Sequence, residues 1–115
     1  MSKIAELNEE NVDQVIAAAT TPVVVDVYAP WCGPCKMLAP LMEQLADHFA
    51  GRIQFFKVNV DEAPEIAGRF EITGVPTLLL FCDGKLRDTI VGLASPRALL
   101  TKLEALAANP TEARV

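Results

Sequence analysis

The sequence predicts an α/β fold, a mixed β-sheet with helices on both faces. Three observations carry that expectation. Helix-periodic segments alternate with short β-branched runs, which implies a parallel core. A hairpin signal, Asp83-Gly84, adds an antiparallel edge near the end of the chain. The 115 residues, 51% hydrophobic and 22% charged, have the size and composition of one globular domain. We place that domain at residues 1–109 and read residues 110–115 as a loose tail.

The elements follow in order. Residues 4–7 have room for a short first strand. Asn8 suits a helix cap, and Val12, Val15, Ile16 and Ala19 form one face of a helix reaching about residue 20. Thr21-Pro22 ends it. Val23 to Tyr28 is apolar and β-branched except at Asp26, the pattern of a buried central strand. Cys32-Gly33-Pro34 opens the next helix, because proline fits a first turn. Leu38, Leu41, Met42, Leu45 and Phe49 continue it, Pro40 lies inside it and should kink it, and Gly51 stops it. Residues 53–60 read as a strand with Phe56, Val58 and Val60 on one face. Residues 61–70 allow a short helix with Pro64 in its first turn. Residues 78–82 and 86–91 form the hairpin. Ser95-Pro96 opens the last helix, with Leu99, Leu100, Leu103 and Leu106 as its stripe, and Asn109-Pro110 closes it.

Charge and composition exclude several functions. A net charge of −5 and a pI of about 4.8 disfavour binding to nucleic acid or to anionic membranes. No apolar run approaches the roughly 20 residues of a membrane helix. Glu6, Glu9 and Glu10 break up any secretory leader, which suggests a cytoplasmic protein, or an organelle-matrix one if the chain is a processed form. Three cysteines are too few for a disulfide-built scaffold.

Two of those cysteines carry the chemistry, in Trp31-Cys32-Gly33-Pro34-Cys35. Residues three apart on a helix have Cα atoms about 5 Å apart, within reach of a disulfide. Cys32 would stand at the helix N-terminus, where free N–H groups and the helix dipole favour a thiolate. Cys35, a turn inside, should be the more buried. Cys32 is therefore the candidate nucleophile and Cys35 the candidate resolving thiol. Half a zinc site is the competing reading, but only Cys82 and His48 remain as further ligands and neither belongs to a pair, so no metal is expected.

Asp26 is a candidate proton carrier for Cys35, since a carboxyl in a buried strand has a raised pKa. The alternative is a structural Asp satisfied by its neighbours. Lys57 breaks its strand in the same way and is either the partner of Asp26 or a surface lysine. Pro76, in Val75-Pro76-Thr77, marks a strand entrance. It faces the cysteines as a cis proline or is a plain turn proline. Gly74 and Gly92 are loop glycines or points where a client backbone comes close. Trp31 is core or recognition surface. His48 reads as a surface residue and Cys82 as packing.

Trp31-Cys32-Gly33-Pro34-Cys35-Lys36 closely resembles the thioredoxin family. The likeness runs over almost the whole chain, through Asp26, Pro40, Lys57, Asp61, Val75-Pro76-Thr77, Phe81, Asp83-Gly84 and Gly92. Gly33-Pro34 between the cysteines points to the reductant branch rather than to isomerases or oxidases. The resemblance implies a thioredoxin fold of five strands and four helices, with Pro76 cis. It implies a protein-disulfide reductase that binds no cofactor. Electrons would come from NADPH through thioredoxin reductase, or through a ferredoxin-linked reductase. It implies clients of the ribonucleotide reductase, peroxiredoxin and methionine sulfoxide reductase types, and a monomer. Clients of the family dock over Trp31, Gly33-Pro34, Gly74, Val75, Pro76 and Gly92. Two positions depart from the family: Tyr28 stands where many members have Trp, and Cys82 is unusual on its strand.

Overall fold

A computed structural model describes residues 4–108. Asn109-Pro110 and the proposed tail lie outside them. The elements are β1 (Ala5–Leu7), α1 (Val12–Ala18), β2 (Val23–Tyr28), α2 (Gly33–His48) and β3 (Gln54–Asn59), then a 3-10 turn (Val60–Glu62), α3 (Pro64–Arg69), β4 (Thr77–Cys82), β5 (Lys85–Val91) and α4 (Pro96–Ala108). The five strands form one sheet in the order β1-β3-β2-β4-β5. β1, β3 and β2 are parallel, while β4 and β5 run antiparallel to their neighbours. This is the mixed sheet expected from the alternation and the hairpin.

Strand alternation sends side chains to opposite faces, and each face has its own core. On one face Val24, Phe55, Leu78 and Leu80 meet Met42, Leu45 and Phe49 of α2 and Leu99 and Leu103 of α4. On the other Val23, Val25, Val27, Val58 and Leu79 meet Val12 and Ile16 of α1 and Ile66 of α3. Burying each of these larger side chains contributes about 1.5–3 kcal/mol before entropy is counted. β2 is covered on both faces, which is why its sequence is nearly all valine.

Local chemistry sets the boundaries. α1 starts later than expected, at Val12, and Asn11 before it makes no side-chain capping bond. The Asn8 carboxamide oxygen instead accepts the amides of Glu10 and Asn11, each at 2.9 Å, closing a turn before the helix. α1 also ends at Ala18, because Ala19 is already extended. In α4, Leu99 and Leu103 are buried, Leu106 is half-buried and Leu100 is exposed. The stripe is narrower than the four leucines suggested. Asp83 and Gly84 both have positive φ, +56° and +77°, the signature of a two-residue hairpin turn.

Gly51 follows α2 with φ +83°, a conformation that penalises any Cβ. Gly51→Ala is expected to cost about 1 kcal/mol. Urea unfolding should show a lower midpoint at an unchanged slope, and an unchanged midpoint would refute this account of the cap.

Candidate active site

The site lies at the C-terminal ends of the parallel strands, where β2 feeds α2. The Cys32 amide donates to the Ala29 carbonyl at 3.1 Å, tightening the loop. Cys32 is the N-cap of α2, with extended backbone (φ −87°, ψ 114°). Pro34 fits the first turn because it has no N–H to leave unpaired.

Cys32 and Cys35 form a disulfide with Cα atoms 5.3 Å apart, matching the spacing expected of a helical turn. The Cys35 amide points at Cys32 Sγ from 3.1 Å. A helix N-terminus aims further free donors and its dipole at the same sulfur. These features favour negative charge on Cys32 once the bond opens. Burial does not separate the pair as expected, because Cys32 is 4% and Cys35 5% exposed. The Val75 carbonyl oxygen stands 3.7 Å from Cys32 Sγ and covers it as well.

The Val75–Pro76 peptide is cis. Two bonds fix the loop: Thr77 Oγ1 donates to the Gly74 carbonyl at 2.6 Å, and the Gly92 amide donates to the Pro76 carbonyl at 2.8 Å. Gly74, Val75, Pro76 and Gly92 therefore gather on one side of the disulfide. Trp31, 69% exposed, stands beside it. Its indole N–H donates to Asp61 Oδ2 at 2.9 Å, which fixes the ring. Gly33 and Pro34 complete the rim and are exposed.

Asp26 is buried on the face of β2 that carries α2 and α4, and its Oδ1 has no hydrogen-bond partner among the described residues. Burial pushes its carboxyl up to about 6, against a smaller downward pull from the Lys57 ammonium. Lys57 is its register neighbour on β3. Asp26, Lys57 and Cys35 line one cavity of about 200 Å³. That cavity brings a carboxyl with a raised pKa and the Cys35 sulfur to one small space. Its dimensions suit water-mediated proton transfer between them.

Other expected residues lie elsewhere. His48 is exposed in the last turn of α2, its ring edge-on to Phe49. Cys82 is buried at the end of β4 far from Pro76, with its sulfur 3.6 Å from Asp83 Oδ2. No group of three or more His, Cys, Asp or Glu side chains is placed to hold a metal among the described residues. Two partners were not legible as such. Asp61 holds Trp31, and Glu6 accepts from the Tyr28 hydroxyl. Each pairs with a residue distant in sequence, and only the strand registers could have signalled Glu6.

Comparison with known proteins accords with this geometry. The family model described as Thioredoxin matches residues 3–105. Thioredoxin M2, chloroplastic, of Arabidopsis thaliana is 46% identical over 98 residues, covering 85% of this chain and 52% of its own length. Thioredoxin M-type, chloroplastic, of Pisum sativum is 39% identical over 102 residues, covering 89% and 59%. Thioredoxin 1 of Nostoc sp. is 38% identical over 104 residues, covering 90% and 97%. The chain thus spans a little over half the length of these chloroplast relatives and nearly all of the cyanobacterial one. With the family model spanning the disulfide, the cis-proline loop and the sheet, and with these relatives at 38–46% identity, this chain belongs to the thioredoxin family.

Proposed function

We propose that this chain is a thiol–disulfide oxidoreductase that reduces disulfides of client proteins. The observation that carries the reading is the Cys32–Cys35 pair at a helix N-terminus, with the Cys35 amide aimed at Cys32 Sγ from 3.1 Å. The cycle starts from the dithiol. The Cys32 thiolate attacks one sulfur of a client disulfide, and the other client sulfur leaves as a thiolate. Cys35 gives its proton to Asp26 through the shared cavity and attacks Cys32. The Cys32–Cys35 bond forms and the client–Cys32 bond breaks. The client gains two electrons and the pair loses two. Lys57 tempers the charge that Asp26 carries between these steps.

The client lies across Trp31, Gly33-Pro34, Gly74, Val75, Pro76 and Gly92 in this reading. The exposed Trp31 and the neighbouring loop backbone suit an extended segment carrying a disulfide. The partners are a thioredoxin reductase and disulfide-containing clients of the ribonucleotide reductase, peroxiredoxin and methionine sulfoxide reductase types. The protein acts as a monomer through one domain at residues 1–109, in the cytoplasm or an organelle matrix. The names of the chloroplast and cyanobacterial relatives fit either compartment.

Equilibration across a dithiothreitol redox ladder, with free thiols alkylated and counted by mass, tests the activity. We expect one two-electron transition, lost on Cys32→Ser, at a potential well below the roughly −180 mV of disulfide isomerases. A transition near that value would mark an oxidase or isomerase. No transition would leave a binding module.

A further inference from the structure

Sheet register sets three charged side chains in one row. Glu6 on β1 pairs with Lys57 on β3, and Lys57 pairs with Asp26 on β2. Tyr28 lies two residues along β2 from Asp26 and so on the same face. Its hydroxyl donates to both oxygens of the Glu6 carboxylate, at 2.9 and 2.7 Å. Lys57 Nζ stands 5.9 Å from the centroid of the Tyr28 ring. Tyr28 also lines the cavity shared by Asp26, Lys57 and Cys35.

The tyrosine is therefore held at its tip by an anion and faces a cation with its ring. A lysine ammonium on a flexible four-carbon stem has no preferred place between two carboxylates. The electron-rich face of a fixed aromatic ring supplies one. We propose that Glu6 and Tyr28 are positioning residues, in which Glu6 fixes the Tyr28 ring and the ring holds the Lys57 ammonium beside Asp26 at the mouth of the cavity leading to Cys35. The hydroxyl does not act as an acid. Burial and the Glu6 carboxylate hold its proton beyond the ordinary tyrosine range, so it remains a donor.

The remaining groups around the row come from other elements. Cys35 and Lys36 face the cavity from α2, Glu62 of the 3-10 turn acts on Tyr28 through space, and Leu78 of β4 lies opposite Asp26. Replacing Tyr28 by phenylalanine leaves all of them in place and keeps the ring volume. It removes only the tie to Glu6. The ring loses its anchor, and the freed carboxylate competes for the ammonium. Asp26 then loses part of the charge that favours its ionised form.

The test is a double-mutant cycle of Tyr28→Phe and Lys57→Met, with the Asp26 carboxyl followed by carbon NMR in the oxidised protein. Tyr28→Phe should raise the Asp26 midpoint by about half a pH unit in the presence of Lys57 and leave it unchanged in Lys57→Met. An unmoved midpoint, or the same movement in both backgrounds, overturns the proposal. The kinetic consequence rests on the thiol–disulfide reading of the site, and a second measurement separates the two. The pH profile of Cys35 attack on a preformed mixed disulfide should move with the NMR midpoint. A moving midpoint with a stationary profile would leave the positioning role intact and refute Asp26 as the proton acceptor.

Discussion

Cys32→Ser should lower client-disulfide reduction by at least about three orders of magnitude, with the fold intact. The reactive species is the thiolate, and a serine hydroxyl has no comparable anionic fraction at neutral pH. The donors that would stabilise the charge stay in place, including the Cys35 amide. The loss therefore reports the missing sulfur rather than a disturbed helix end. Thiol release from a disulfide-bonded substrate protein, driven by dithiothreitol, measures it. Cys35→Ser separates the two roles. Its Cys32 still attacks, but nothing resolves the product, so a client–Cys32 adduct should accumulate and be visible by mass. An adduct accumulating on Cys32→Ser instead would exchange the assigned roles. This distinction matters because burial is the same for both cysteines. The assignment rests on which sulfur receives the amide.

Much of this was legible in the sequence because it is local. The strand spans, the Asp83-Gly84 turn and the Cys32–Cys35 spacing depend on neighbours within a few residues. Asp26 stood out because a charge in a valine strand contradicts its surroundings. What escaped depends on contacts between distant segments or on competition between similar signals. Asn8 and Asn11 both suit a cap by residue type, and only the structure shows that Asn8 takes the capping bonds while the regular helix waits until Val12. The Val75 loop covers Cys32 from 43 residues away. Glu6 reads as an ordinary surface acid until β1 is set in register with β3. Trp31 and Asp61 are 30 residues apart, so their bond awaits the turn after β3.

Asp26→Asn should stabilise the oxidised protein by about 3 kcal/mol at pH 7 and by little at pH 4 or below. The sign follows from the titration. The carboxyl has its ordinary value of 3.8 in the unfolded chain and about 6 in the folded one, because burial disfavours the charged form more than Lys57 favours it. The folded state then binds the proton more tightly. Its stability is fully present below about pH 4 and is lost as pH rises through 6. The separation from 3.8 to about 6 converts to about 3 kcal/mol. Asparagine fills the same space and cannot ionise, so the variant avoids that loss. Urea unfolding of both proteins at pH 4 and pH 7 measures it, and an equal difference at the two values would refute the account. The same substitution should slow Cys35 resolution more than Cys32 attack, because only the resolving step is proposed to hand a proton to Asp26. Stopped-flow rates reduced equally in both steps would sink that role. The two expectations pull in opposite directions on one residue: a buried carboxylate that lowers stability at neutral pH is the group proposed to accept the proton of Cys35. An unusually stable but slowly resolving variant is what that opposition demands.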